Sequence, residues 1–531
     1  MLRSLNDLDP SARLETDVCV VGAGAAGQTV AKALADAGRD VLLLESGGID
    51  FDATVQALNE AESTGLPYYD LLRARLRFFG GTTAIWGGRT CRLDPIDFEA
   101  RDWVPLSGWP FGPAELEPHY RRAEARLGLI SEHMDRHVFD RVPRTPQLDR
   151  GRIDASYWQF DHHIDRFTAA YRDDVLRHPR IRVLTQATVT RIAAGGSAVT
   201  QLDLANHGGR SARVFARDHV LACGGIENAR LLLANGLGGD WVGRCFMEHV
   251  HCRGGEIHAE RPISVLRIGK SFRFRGSRFA AAIRPGVPLQ RREHILNASF
   301  TINVRKPPGR PMGAFMTGFN FMRHSMAVPN KVWRKCWYAL KHSGTRVQEW
   351  ADPYRPWLLT KTSDRRIYAV VRTEQSPNPE SRVTLDPAQR DALGMPRAQL
   401  HWAVSEIDKR TVLVTMQALD AEFRRLGLGR VEPMPWLTDP AVPWEFDQLI
   451  SKNPIGGYHH MGTTRMSADP ARGVTDGNAP VYGFDTNVGA MYSLGSFDLS
   501  ARYRWVMVTP LDNPASGWLT HGPEINVGIR F

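Results

Sequence analysis

The chain has no apolar run approaching the roughly 20 residues needed to cross a bilayer, which excludes a helical membrane-spanning protein. Its first residues, MLRSLNDLDPSARLETD, lack the apolar core of a secretory signal and carry acidic side chains, so a cytoplasmic location is expected. Cysteine is scarce. Cys19, Cys91, Cys223, Cys245, Cys252 and Cys336 are scattered with no CxxC pair, which argues against a zinc ribbon or a disulfide framework and for free thiols. Compositional bias is also absent: hydrophobic residues at 43% and charged residues at 23% suit an ordinary globular protein rather than a disordered one.

A length of 531 residues exceeds what one hydrophobic core serves, so two or more lobes are expected, with room for a buried ligand. The net charge of +10 is concentrated locally. Between Arg323 and Arg366 ten lysines and arginines face three acidic residues. Within this segment a helix is expected over NKVWRKCWYALKHSG, 330–344, mixing Trp333, Trp337, Tyr338 and Leu340 with cations. Either its aromatic stripe docks on the body, or it offers a cationic amphipathic face to a membrane surface, an acidic substrate or a partner protein. No recognition motif accompanies the charge, so nucleic acid is not an expected partner.

The strongest local signal is TDVCVVGAGAAGQTVAKALADAGRDVLLLESGG, 16–48. An apolar strand, Val18 to Val21, leads into Gly22-x-Gly24-x-x-Gly27. The first glycine permits the turn, the second lets backbone approach a pyrophosphate, and the third lets the helix pack on the strand. The helix expected from Ala25 to Ala37, starting Ala25-Ala26, aims its N-terminal amides at phosphate. A second strand, Val41 to Leu44, ends in Glu45, placed to hydrogen-bond a ribose hydroxyl. Strand, glycines, helix, strand and acid in this order define a dinucleotide site, without separating NAD from FAD.

Further motifs resolve that choice. RFFGGTTAIWGGRTC at 77–91 is similar to the flavin-contacting region of the glucose-methanol-choline oxidoreductases, especially their pyranose-oxidase-like branch. HVLACGGIENARLLLANG at 219–236, GRCFMEHVH at 243–251, the stretch 374–402 and GGYHHMGTTRM at 456–466 resemble later elements of that family, in family order. The resemblance implies an α/β protein: a Rossmann-type FAD-binding domain with a parallel sheet and helices, assembled from discontinuous segments, plus a substrate domain with a mainly antiparallel sheet and helices. It assigns 1–135 and 181–255 to the FAD-binding domain, 136–180 to a substrate-domain insertion, 256–440 to the substrate domain and 441–531 to the active-site motif and an atypical closing segment. Implied cofactor contacts are Ser46, then Gly80, Gly81, Thr82, Thr83, Trp86 and Gly87. Farther on they are Val189, Ala222, Cys223, Gly224 and Asn228, and in the tail Gly495, Ser496, Asn513 and Pro514. Some relatives bind the flavin covalently through a histidine in the first of these stretches. Ile85 stands at the matching position and offers no nucleophile, so noncovalent FAD is expected.

In the mechanism the resemblance implies, His459 accepts the hydroxyl proton while hydride passes to the flavin, and His460 supports it. Taken alone, a histidine in a glycine-rich loop is more commonly a hydrogen-bonded core residue. Metal ligation by the pair is disfavoured, because neighbours on an extended segment point to opposite faces. The family's second polar residue is expected in a short Asn-Pro motif, here Asn513-Pro514, at a spacing of 54 residues from His459 that is longer than the family habitually shows. The chain then ends GWLTHGPEINVGIRF, without helical periodicity. Either this branch has a rebuilt C-terminus, or the sequence diverges after about Ser493. The expected reaction is oxidation of an alcohol, a secondary hydroxyl of a sugar, glycoside or polyol-like molecule, with oxygen or a quinone as electron acceptor. The alternatives are lyase or decarboxylase chemistry in the same fold, or a redox-impaired relative.

Overall fold

The computed structural model describes residues 1–130, 146–161, 166–307, isolated positions between 336 and 351, and then 354–444, 458–483 and 488–490. The first sheet is organised on the strand Ala12–Val21, whose last four residues are buried on both faces. Val18 and Val20 pack with the helix Ala25–Asp36; Cys19 and Val21 pack with Ile226 and Leu232 of the helix Gly225–Ala234. A continuous apolar run is what a parallel strand covered on both sides requires. Each such side chain contributes about 1.5–3 kcal/mol relative to exposure.

Val41–Leu44, Ile181–Thr185 and Leu2–Ser4 extend this sheet in parallel on one side. On the other side Ser211–Leu221 runs parallel to the central strand and to Val488–Ala490. The antiparallel strands Ala198–Ala205 and Thr188–Gly195 close that edge. The central strand begins six residues before the apolar run. Ala12 to Thr16 pair with Ala212 to Ala216 in a half-exposed stretch that hydrophobicity alone does not mark.

The second sheet is antiparallel, in the order Gly429–Pro433, Val250–Ala259, Arg366–Thr373, Ala298–Arg305, Ser277–Pro285, Ile153–Phe160, Arg89–Thr90. Cys252, Val371, Phe300 and Ile283 on one face pack against Val412, Met416, Leu419 and Phe423 of the 20-residue helix Glu406–Arg425. Because side chains alternate along a strand, the residues between them face the other way.

Three segments lie apart from the lobes expected for them. Val250–Ala259 enters the antiparallel sheet through its Val250–Thr373 pairing, ahead of the boundary at 255. Ala170–Arg177 sits with the first lobe, its Tyr171 and Val175 buried against the helix Ala25–Asp36. Arg382–Arg390 and Pro396–Trp402 form a separate three-stranded sheet with Glu62–Gly65. Their Val383, Leu400 and Trp402 join the first lobe's core. In each case nonlocal pairing or packing decides the membership. Among the described residues no helix is long and apolar enough to cross a membrane.

Candidate active site

The three glycines of the first motif do three different jobs. Gly22 is left-handed at φ 101°, and a Cβ there would lie 2.7 Å from the Ala222 carbonyl oxygen. A Cβ on Gly27 would lie 1.8 Å from the Gly22 carbonyl, so the helix could not sit this close to the strand. At Gly24 a Cβ would meet nothing within 4 Å. This glycine heads the helix Ala25–Asp36 with no side-chain cap, so its first-turn amides have no side-chain acceptor among the described residues. Ala25 and Ala26 are buried in that first turn. The Glu45 carboxylate accepts the Ala23 amide at 3.0 Å on one oxygen and the Gly47 amide at 2.9 Å on the other. It thereby ties the loop to the next strand while each oxygen keeps a lone pair for a hydroxyl. Burial raises its proton affinity against these stabilising amides.

Gly80 and Gly81 bring the second motif against the first. Both have positive φ, Gly80 bridges to Gly24, and the Gly80 amide donates to the Ala23 carbonyl at 2.9 Å. The Thr82 hydroxyl accepts the Leu76 amide at 3.1 Å, and the Thr83 hydroxyl donates to the Gly80 carbonyl. Gly87, like Gly24, has no atom within 4 Å of an added Cβ. Trp86 is buried in the first lobe's core edge-on to Phe167, and Ile85 packs against the Leu76, Phe78 and Ala84 cluster. Ser46 Oγ lies 2.6 Å from the Thr188 hydroxyl and accepts from Arg77 at 3.1 Å. Val189 is a core residue.

The third motif turns after Ala222. Asn228 Oδ1 accepts the Cys223 amide at 2.9 Å, and Gly224, at φ 85°, heads its helix with no side-chain cap and no atom near an added Cβ. Burial pushes the Cys223 thiol up to about 12, so it is not a nucleophile at neutral pH. Glu227 of this helix meets Arg77 at 3.0 Å and Arg230 at 3.1 Å, and Arg230 reaches Asp391 at 2.6 Å. Against the cost of burial, these cations hold the Glu227 carboxyl down at about 2. Two helix starts without a side-chain cap, and three glycines with no atom of the described residues within 4 Å of an added Cβ, fit a dinucleotide with its pyrophosphate at the first loop.

The histidine pair is brought in from far along the chain. Met247 and Met461 exchange backbone hydrogen bonds at 2.9 and 3.2 Å, and the Gly243 amide donates to the Thr463 carbonyl at 2.8 Å. Gly462 allows that approach: at φ 88° it is left-handed, and a Cβ would lie 1.9 Å from the Cys245 carbonyl. Beneath the loop lies Glu248, 1% exposed. Its carboxylate accepts the His459 amide on both oxygens at 2.9 and 3.1 Å, the Tyr68 hydroxyl at 2.7 Å and the His249 amide at 2.9 Å. Charge-assisted hydrogen bonds of this kind contribute about 1.5–3 kcal/mol each. Tyr458, the residue before the pair, adopts a left-handed φ of 61° and stacks on Tyr69 at 4.3 Å between ring centroids.

The two rings face different surroundings. His459 meets the His249 ring edge-on at 4.9 Å, on the side of the antiparallel sheet. His460 lies against Tyr68 and Phe246 at 5.9 and 5.8 Å. Burial, aided by His249, His460 and Arg372, lowers the His459 pKa well below its ordinary value. Burial and Arg75 bring His460 down to about 3. Both imidazoles are therefore neutral at physiological pH.

Gly495, Ser496, Asn513 and Pro514 lie outside the described residues, as does most of the basic segment 323–366. Glu248, Tyr68, His249 and Arg372 were not anticipated as site residues. The one local hint was the MEHVH stretch, whose carboxylate acquires meaning only when the histidine loop is laid over it.

A parallel nucleotide lobe with glycine turns, beside an antiparallel-sheet lobe against which a loop sets a buried imidazole, is an architecture that suits an FAD-dependent oxidoreductase. Residues 17–272 match the family model described as FAD dependent oxidoreductase, and residues 377–486 that described as GMC oxidoreductase. A 2-methyl-1,2-propanediol dehydrogenase of Mycolicibacterium austroafricanum is 24% identical over 545 residues, spanning 87% of each chain. A 6'''-hydroxyparomomycin C oxidase of Streptomyces lividus is 29% identical over 278 residues, 41% of this chain and 50% of that one. Pyridoxine 4-oxidase from Mesorbium loti shares the fold at 16% identity, with a TM-score of 0.50 over 91% of this chain and 96% of that one. The chain is thus similar to the glucose-methanol-choline oxidoreductases over both lobes, and these matches indicate an FAD-dependent oxidoreductase acting on CH–OH groups.

Proposed function

We propose that the chain oxidises a secondary hydroxyl of a sugar, glycoside or polyol-like molecule to a carbonyl, with His459 as the base. The observation that carries this reading is the neutral, buried His459 ring, whose backbone is held on both oxygens of the Glu248 carboxylate. When bound, FAD supplies the two-electron acceptor for the hydrogen leaving the carbinol carbon. The residues of the chain do the rest. A neutral imidazole has the lone pair needed to take the hydroxyl proton, and the carbon releases hydride readily only as its oxygen becomes alkoxide-like. Glu248 fixes the loop so that the ring does not swing away, and burial keeps bulk water from competing for the proton. His460 supports the loop from the Tyr68 and Phe246 side.

FAD would be held by Gly22, Gly24 and Gly27, by Glu45, by Gly80 to Thr83 and by the turn at Gly224. With Ile85 in place of a nucleophile, the attachment is noncovalent. Acid precipitation should release all the flavin into the supernatant, and yellow colour retained on the washed polypeptide would contradict this.

The reading is tested by mixing the purified flavoprotein anaerobically with sugars, glycosides and aliphatic alcohols. Loss of the oxidised flavin absorbance supports oxidation; product without bleaching supports lyase chemistry instead.

The basic segment suggests where electrons go. Leu340, Val347, Trp350, Tyr354 and Leu358 recur at helical spacing and are exposed, Trp350 by 81%. Arg346 and Lys361 are exposed in the same segment. Exposed apolar side chains interspersed with cations suit an anionic membrane surface, where a quinone acceptor would be within reach. The protein should co-sediment with phosphatidylglycerol vesicles at low salt and be released at high salt. Equal, salt-insensitive binding to phosphatidylcholine vesicles would refute the electrostatic docking.

A further inference from the structure

The wall of the site formed by the antiparallel sheet has a chemistry that removal of a hydroxyl proton does not require. Strand pairing sets His251 beside Arg372, and Arg372 beside Ser299, on the face opposite the Cys252, Val371 and Phe300 core. Farther across the same face Arg278 and Arg89 lie over the Phe160 ring, at 4.4 and 5.6 Å from its centroid. His251 is 1% exposed, and neither of its ring nitrogens has a hydrogen-bond partner among the described residues. A buried polar group left unsatisfied costs about 1–3 kcal/mol, so a group retained in that state calls for a ligand.

The surroundings of His251 specify the charge of that ligand. After burial, the influences that keep it neutral are Arg372, Arg305, Arg89 and His249, all of them basic. Acidic side chains of the described strands occupy the ends of this face, where Asp154 meets Arg284 at 3.4 Å and Glu256 meets Arg366 at 3.1 Å. His249, two residues before His251, meets the His459 ring at 4.9 Å, so the cationic wall adjoins the base.

We propose that this wall is a subsite for an oxyanion, a carboxylate or phosphate carried by the molecule whose hydroxyl is oxidised at His459. The inference rests on the alcohol-oxidising reading and narrows it from a neutral polyol to an acidic hydroxy compound. A guanidinium presents its donors in a planar fork that matches two oxygens at once, and the His251 N–H supplies a further donor. In a buried site a neutral substrate would leave the His251 ring nitrogens unsatisfied, so discrimination against it is strong.

Two measurements on the holoenzyme test the proposal. Calorimetry with acetate and inorganic phosphate asks whether the wall binds oxyanions irrespective of substrate shape. Anaerobic flavin reduction compares matched pairs, gluconate with sorbitol and glucose 6-phosphate with glucose. Expected are heat with at least one anion and a kcat/KM at least about tenfold higher for the anionic member of one pair. That pair tells carboxylate from phosphate. Arg372→Gln should abolish the heat and the preference, and Arg372→Lys should restore part of both. No heat with either anion, or equal use of neutral and anionic members, overturns the subsite. Heat that depends on Arg372 while no compound reduces the flavin supports the subsite and overturns the oxidation reading instead.

Discussion

His459→Ala should leave the flavoprotein folded and yellow but slow its anaerobic reduction by substrate by about 10²- to 10⁴-fold, the usual contribution of a positioned base. Flavin should remain because the substitution removes only the imidazole. The His459 amide still binds Glu248, and the glycine cradles lie on other segments. The pH dependence gives a second signature. The reactive form of His459 is neutral, and its pKa lies well below 6.5 because burial disfavours the imidazolium. A depressed pKa means the base stays competent as pH falls through the ordinary histidine range. Activity should therefore persist below pH 6.5 and decline only in more acidic solution. An acid limb centred near 6.5, or a His459→Ala variant reduced at the wild-type rate, would remove His459 from the role of base. His460→Ala should cost less, since its ring faces Tyr68 and Phe246.

The glycine loop yields the other large effect, and two neighbouring substitutions should separate packing from binding. Gly27→Ala places a methyl group 1.8 Å from the Gly22 carbonyl, a backbone atom that cannot move aside without displacing the helix from the central strand. Overpacking of this kind costs about 1–3 kcal/mol or more, so the apo-protein should melt earlier and recover with little flavin. Gly24→Ala adds its methyl group to open space, and its φ of −70° suits alanine. The apo-protein should keep its Tm while flavin occupancy drops, because the methyl takes the space beside the first-turn amides. Differential scanning of apo-protein together with flavin-to-protein stoichiometry distinguishes the two. A Gly24→Ala chain that melts early yet binds flavin fully would make Gly24 a packing residue and move the phosphate elsewhere.

The fold was legible wherever a local rule governs it. The strand Val41–Leu44 matches the reading residue for residue, and the first helix ends at Asp36, one residue before the expected Ala37. Glycines at 22 and 27 announced two separate constraints, because a tight turn and a close packing each demand the absence of a side chain. The two-lobe architecture followed from length and motif order.

Pairing between distant strands was not legible. Arg89–Thr90 and Ile153–Phe160 lie apart in sequence, yet both belong to the antiparallel sheet, because hydrogen bonding between strands carries no sequence code of its own. The same holds for the site. HHMG announced imidazoles, but the carboxylate beneath them comes from residue 248 and the cation beside them from residue 372, each more than 80 residues away.

Residue types and their local spacing thus pointed to a dinucleotide loop and showed the paired histidines, because these depend on backbone conformation over a few residues, while the choice of FAD came from the resemblance to a known family. Only tertiary structure decided which histidine faces the antiparallel sheet, why both are neutral, and that the opposing wall is cationic. Burial and charge are properties of everything that surrounds a group, and those surroundings are assembled from segments that the chain brings together only when it folds.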